Sequence, residues 1–293
     1  MSTALPGATI DATGPASPEG RRPGRAKRSA PRNTLTGGAG LGLGISVLWF
    51  SLLVLLPLSA IVARAASGGW DNYLNVLQND QTWAAIKLTV LTAAVVTLIN
   101  IVMGTIIAWV LVRDRFWGKS ILNVIIDVPF AMPTIVAGLV LLALYGPNSP
   151  LGLHWAFTEK SIYLAFAFVT LPFIVRTVQP VLEELDADVE EAAASLGAGR
   201  VTIFRRIILP SLFPAIIAGA TLSFARAISE FGSLVLLSGS RPYETEVASV
   251  RMLSFIENGS YASASALASV LLAVALVVIV ALDLIQRRVA RRG

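Results

Sequence analysis

A chain of 293 residues that is 55% hydrophobic and only 14% charged lies outside soluble-protein composition, where about a quarter of residues carry charge. Its charges gather between apolar runs of about 20 residues, the length that crosses a bilayer, so the class is an all-α, polytopic membrane protein. The absence of cysteine excludes disulfides, thiolate catalysis and Cys-ligated metals, and the net charge of +5 sits beside apolar runs as a topology signal rather than in a nucleic-acid-binding patch.

Residues 1–36 are rich in Pro, Gly, Ala and Ser and carry Arg21, Arg22, Arg25, Lys27, Arg28 and Arg32. Such a composition cannot bury a core and predicts a disordered, basic cytoplasmic tail. A membrane domain is predicted over 37–293, with spans at about 41–62, 84–112, 121–145, 162–182, 212–237 and 262–284. Ala63-Arg64-Ala65 has the form of a signal cleavage site, but the preceding apolar run exceeds the roughly 7–15 residues of a signal core, so the first span is read as retained. Six spans place both tails, the basic loop at Arg113, Arg115 and Lys119, and the polar segment 183–210 on one side. Cytoplasmic loops carry the excess of Arg and Lys, so that side is the cytoplasm.

The third span contains Pro129 and Pro133, each of which removes a backbone donor, and it is predicted to be kinked, either for packing or to line a pathway. The stretch 246–256, outside the membrane, reads as a short helix. Asp127, Arg226 and Glu230 are the main intramembrane charges. Arg226 follows Leu212 by 14 residues, which at 1.5 Å per residue predicts a depth of roughly 21 Å. An unpaired guanidinium there is costly. It either pairs with Glu230, four residues on, or attracts an anion on a pathway, with Ser223 and Ser229 as neutral donors. No phosphate-binding G-x-x-x-x-G-K-[ST] and no H-E-x-x-H zinc pattern occurs. His154, the lone histidine, falls in an external loop and reads as a surface residue. No metal site or catalytic residue is expected. A membrane enzyme or a channel working without an ATPase is the alternative of another class.

In the segment 183–210, apolar residues from Leu182 to Leu196 recur mostly at three- or four-residue steps, the period of one helix face. Asp188 with Glu191 three residues later has the form of a capping box. Gly197 or Gly199 can end this helix in a left-handed cap. A second short helix is predicted at 201–208, and Pro210 then starts the fifth span.

Glu191-Ala192-Ala193, Gly197, Ile207, Leu209 and Pro210 match the EAA motif of ABC importer permeases, a family this chain resembles over about residues 45–284. The resemblance implies the six-helix, MetI-like permease fold of type-I importers. It implies that 183–210 is a coupling loop, docked by two short helices into a cytoplasmic ATPase. ATP and Mg would be used by that partner and no cofactor would be bound by this chain. Residues 129–138, 176–184 and 230–235 are similar to the T-type permeases of sulfate/thiosulfate importers. That likeness implies a second, W-type permease, two ATPase subunits, an external sulfate-binding protein, and a bacterial cell-membrane location. Molybdate and tungstate permeases share much of this framework and are the alternative.

Overall fold

The computed structural model describes residues 37–290, so the tail predicted at 1–36 lies outside the described residues. Helices alternate with short connections: α1 (Gly37–Phe50), α2 (Leu56–Ser67), α3 (Gly69–Gln78), α4 (Asp80–Arg113), α5 (Lys119–Ala131), α6 (Thr134–Tyr145), α7 (Glu159–Glu184), α8 (Ala187–Ser195), α9 (Arg200–Ile203), α10 (Leu209–Ile228), α11 (Gly232–Leu237), α12 (Ala248–Glu257) and α13 (Tyr261–Ala290). The stretches Ala39–Ser67, Asp80–Arg113, Glu159–Glu184, Arg200–Ile228 and Tyr261–Arg288 are each long and apolar enough to cross a membrane, and α5 with α6 makes a sixth crossing if that bent pair counts as one span. A short helix is present where one was expected at 246–256: α12.

The kink expected near Pro133 is far larger than a proline bend. α5 and α6 meet at 118°. Pro133 disfavours α geometry in the residue before it, and Met132 is accordingly extended (φ −93°, ψ 135°). Pro133 itself continues at ψ 135° before α6 begins. Two consecutive extended residues turn the chain rather than bend a helix.

The helix α7 lies between α4 and α10, and small residues set the approach. A Cβ on Gly104 of α4 would stand 2.7 Å from Ile174 Cβ, and one on Gly219 of α10 would stand 3.1 Å from Ile174 Cα. Membrane helices associate by close packing at small residues, because lipid tails are as apolar as the side chains themselves. A buried polar link adds to it: Asn100 Nδ2 of α4 donates to Thr170 Oγ1 of α7 at 2.9 Å. Leu111, Ile174, Leu182 and Leu212 form one apolar cluster, and Val96, Phe166, Phe224 and Leu234 belong to a second.

The fifth predicted span differs at both ends. Its helix begins at Arg200, because α9 runs through a π-helical turn, Phe204–Ile208, into α10 without a break. Pro210 would clash with a carbonyl one turn back in a regular helix. The wide turn absorbs that clash, and Leu209 N donates to Phe204 O, five residues back. The helix then stops at Ile228, and Phe231 has non-helical backbone (φ −134°, ψ −54°). Residues 232–237 form the separate α11, pressed onto α6. A Cβ on Gly138 would lie 2.7 Å from Ser233 O, and one on Gly232 would lie 2.9 Å from Ile135 N. Only glycine at both positions permits that contact.

Candidate functional site

α8 and α9 form a hairpin of helices, and its chemistry is local. Asp186 is the N-cap of α8: its Oδ1 accepts from Asp188 N at 3.0 Å. The cap therefore lies two residues before the expected Asp188, because Asp186 keeps extended backbone (φ −67°, ψ 118°) while Asp188 is already helical. Glu191 makes no capping contact and is exposed. At the other end Gly197 has φ +85°, a left-handed conformation that costs an L-residue roughly 1–2 kcal/mol. Gly197 N donates to Ala194 O at 2.9 Å and Ala198 N to Ala193 O at 3.1 Å, the paired bonds of a Schellman cap. Gly199, at φ −70°, is not the left-handed residue.

The hairpin presents one face inward and one outward. Ala193, Ala198, Phe204, Ile207 and Leu209 pack against the Leu111–Leu182–Leu212 cluster, with Ile203 and Ile208 inside it. Glu191, Ala192, Leu196, Gly197, Val201 and Pro210 face out, with Leu196 at 89% and Val201 at 71% exposure. A leucine and a valine thus stand in solvent on the outward face of the hairpin. One ion pair ties α8 to a span: Arg113, the last residue of α4, binds Glu190 and also stacks over Trp109, 5.6 Å from the ring centroid. Glu190→Ala is expected to let the hairpin open, with proteolysis in 185–200 about fivefold faster, the effect of about 1 kcal/mol. The exchange Arg113→Glu/Glu190→Arg should restore much of the protection.

Asp127 meets a partner 49 residues away. Arg176 Nε donates to Asp127 Oδ1 at 2.7 Å and Arg176 Nη2 to Oδ2 at 2.6 Å, a bidentate, charge-assisted pair. Arg176 also donates to Asn123 Oδ1 (3.2 Å), Asn123 O (2.9 Å) and Gln179 Oε1 (2.7 Å). All five guanidinium N–H groups are then used. Gln179 Nε2 extends the chain to Glu183 at 3.0 Å, where the polar segment begins. Asp127 is thus a clamp between α5 and α7.

The model for the binding-protein-dependent transport system inner membrane component matches residues 100–292, a stretch that holds the hairpin and both clamped helices. The chain belongs to this family. It is similar to the sulfate transport system permease protein CysT of Salmonella typhimurium, with 44% identity over 259 residues, 86% of this chain and 94% of that one. It is 43% identical over 260 residues to the same-named protein of Escherichia coli, with equal coverage, and 39% identical over 250 residues to that of Synechocystis, covering 83% and 87%. Among solved structures, a bacterial transporter importing the acidic polysaccharide alginate superposes at TM-score 0.71, over 85% of this chain and 94% of that one at 18% identity. The inward-facing MetNI methionine transporter superposes at 0.54, over 71% and 94% at 16% identity. These likenesses carry the fold: this permease has the MetI-like architecture and is a multi-pass membrane protein.

In this permease Arg226 and Glu230 do pair, Nη2 to Oε2 at 2.7 Å. Arg226 sits in the last turn of α10, not in the middle of a long span, so the depth expected from Leu212 is replaced by a place at the helix end. Cations are favoured there by the helix dipole. Glu230 Oε1 accepts from Ser233 N at 3.0 Å and Ser233 Oγ at 2.9 Å, which caps α11. Ser223 is fully buried and its hydroxyl has no partner among the described residues. It does not share the exposed face of Arg226. His154 Nδ1 lies 3.1 Å from Gly146 O in the connection between α6 and α7. Sequence reasoning missed Arg113, Glu190, Asn123 and Gln179 as partners, and no spacing rule connects residues that meet only through tertiary packing.

Proposed function

We propose that this permease is the T-type membrane subunit of an ATP-driven importer of sulfate and thiosulfate. It supplies half of a pathway, pairs with a W-type permease, receives anion from an external sulfate-binding protein, and is driven by two cytoplasmic ATPase subunits that hold the ATP and Mg. It does not hydrolyse ATP itself, and both termini lie in the cytoplasm, where the basic loops fall. The observation that supports the driven mechanism most is the outward face of the α8–α9 hairpin. Glu191, Ala192, Gly197 and Pro210 stand exposed on it, while Ala193, Ile207 and Leu209 anchor it to the spans. A push on that face is delivered to α4 through Glu190–Arg113 and to α10 through a helix that continues from Arg200 to Ile228. Support for the substrate comes from identity above 40% to proteins called sulfate transport permeases.

The test is uptake of labelled sulfate in a deletion strain, with molybdate as competitor. Loss of sulfate uptake, restored by this chain and resistant to excess molybdate, is the expected result. Sulfate uptake that survives the deletion while molybdate uptake disappears would overturn it.

A further inference from the structure

We propose that Arg226 is an anion-capture site at the outer end of the pathway, with Glu230 as its built-in counter-ion. This rests on the oxyanion reading above and assigns it a residue.

Two guanidinium groups sit in the membrane-spanning helices α7 and α10, and they are treated oppositely. Arg176 has all five donors occupied by Asp127, Asn123 and Gln179 and has nothing left to offer a ligand. Arg226 makes one contact, the 2.7 Å pair with Glu230, and among the described residues its other donors have no partner. A guanidinium carries five N–H donors in a fixed fork suited to tetrahedral oxyanions. Beside this ion pair, the guanidinium therefore keeps donors to offer a ligand.

The two members of the pair are held very differently. The Glu230 side chain is 0% exposed, and Oε1 is fixed by Ser233. Arg226 is 27% exposed. An arriving dianion is offered the remaining donors of Arg226 while Glu230 stays in place as its counter-ion and as the cap of α11, because a fully buried carboxylate stripped of its partner would be left as an uncompensated charge. When the anion leaves, the pair with Glu230 remains, so neither charge is left uncompensated.

Position points the same way. Exposed Leu222, half-buried Arg226 and the exposed C-cap Ser229 share one stripe of α10, while its other faces pack on α7, α4 and α13. A guanidinium facing lipid is costly, so a stripe carrying one faces protein or water. From Arg206 to Arg226 the helix rises about 30 Å, roughly the thickness of a bilayer core. With Arg206 at the cytoplasmic end, Arg226 stands at the outer mouth, where anion enters.

The chain has no cysteine, so Ser229→Cys gives a single reporter on that stripe. In proteoliposomes holding the complete importer, labelling of Ser229→Cys by a membrane-impermeant thiosulfonate is read by mass spectrometry of this chain, with sulfate or with chloride at equal ionic strength. Sulfate is expected to slow labelling about tenfold, the effect of losing access through one strong charge-assisted contact. The slowing should vanish in Ser229→Cys/Arg226→Gln and return in part in Ser229→Cys/Arg226→Lys. Sulfate uptake by Arg226→Gln should fall by at least about tenfold, with ATP hydrolysis still stimulated by loaded binding protein. Equal protection with and without Arg226, no protection in either, or wild-type uptake by Arg226→Gln overturns the site. Loss of the second permease from the purified Arg226→Gln complex also overturns it, by making Arg226 an interface contact. Absence of sulfate uptake by the unsubstituted importer would instead defeat the substrate reading.

Discussion

Arg176→Met is expected to destabilise the purified permease by on the order of 2–3 kcal/mol, and Asp127→Leu/Arg176→Met to recover most of that loss. The single change strips Asp127 of both its donors and leaves a carboxylate facing the apolar body of α7. Breaking one side of a fully buried pair costs about 3–5 kcal/mol. Arg176 and Asp127 retain 30% and 50% side-chain exposure, so the expected value is lower. Removing both partners leaves no unpaired charge, and such paired replacements are often nearly neutral. The clamp matters because α5 has little else: Ile126 is its one buried residue. The 118° turn between α5 and α6 is fixed at one end by Pro133 and at the other by this ion pair. Thermal unfolding of the four variants in detergent measures the coupling directly. A double variant no more stable than the worse single would show that the pair is not the clamp.

Gly197→Asp is expected to abolish transport while leaving the fold in place. Its φ of +85° costs an aspartate little more than about 1 kcal/mol, because Asp and Asn tolerate the left-handed region better than other residues. A Cβ added there meets nothing within 4 Å, so the chain itself has no steric objection. The damage falls on whatever docks at the turn, where a carboxylate must be desolvated without a partner. Uptake should drop by at least about tenfold, equivalent to about 1.4 kcal/mol of lost coupling, with normal membrane insertion and little change in melting temperature. Gly197→Asn carries the same backbone tolerance without the charge and should lie between the two. Normal transport by Gly197→Asp would remove the hairpin from its coupling role.

Much of this architecture is written locally. The apolar runs, the break at Pro133, the short helix α12 and the glycine turn at Gly197 each follow from residues within one or two turns of the feature. The break after Ile228 does not. Phe231 through Leu237 continue the hydropathy of α10, so the sequence reads as one span. What ends the helix is the fit of Gly232 and Gly138 between α11 and α6, together with the turn of Glu230 back onto Ser233. Similarly, the spacing of Arg226 and Glu230 announced their pairing, but not that the same carboxylate also caps the next helix.

By itself the sequence determined that the chain crosses a membrane in apolar helices, where polar segments interrupt them, and which residues form the signature of the hairpin. Hydrophobic run length, proline and glycine act within a few residues, and their effects are legible there. Only the tertiary structure decided that Asp127 is bound by Arg176, 49 residues on, and Glu190 by Arg113, 77 residues back. It also decided that, of Arg176 in α7 and Arg226 in α10, only Arg226 keeps donors without a partner among the described residues. Charges in a low-dielectric interior take whichever partner the packing brings within reach, and that choice belongs to the packed helices as a whole.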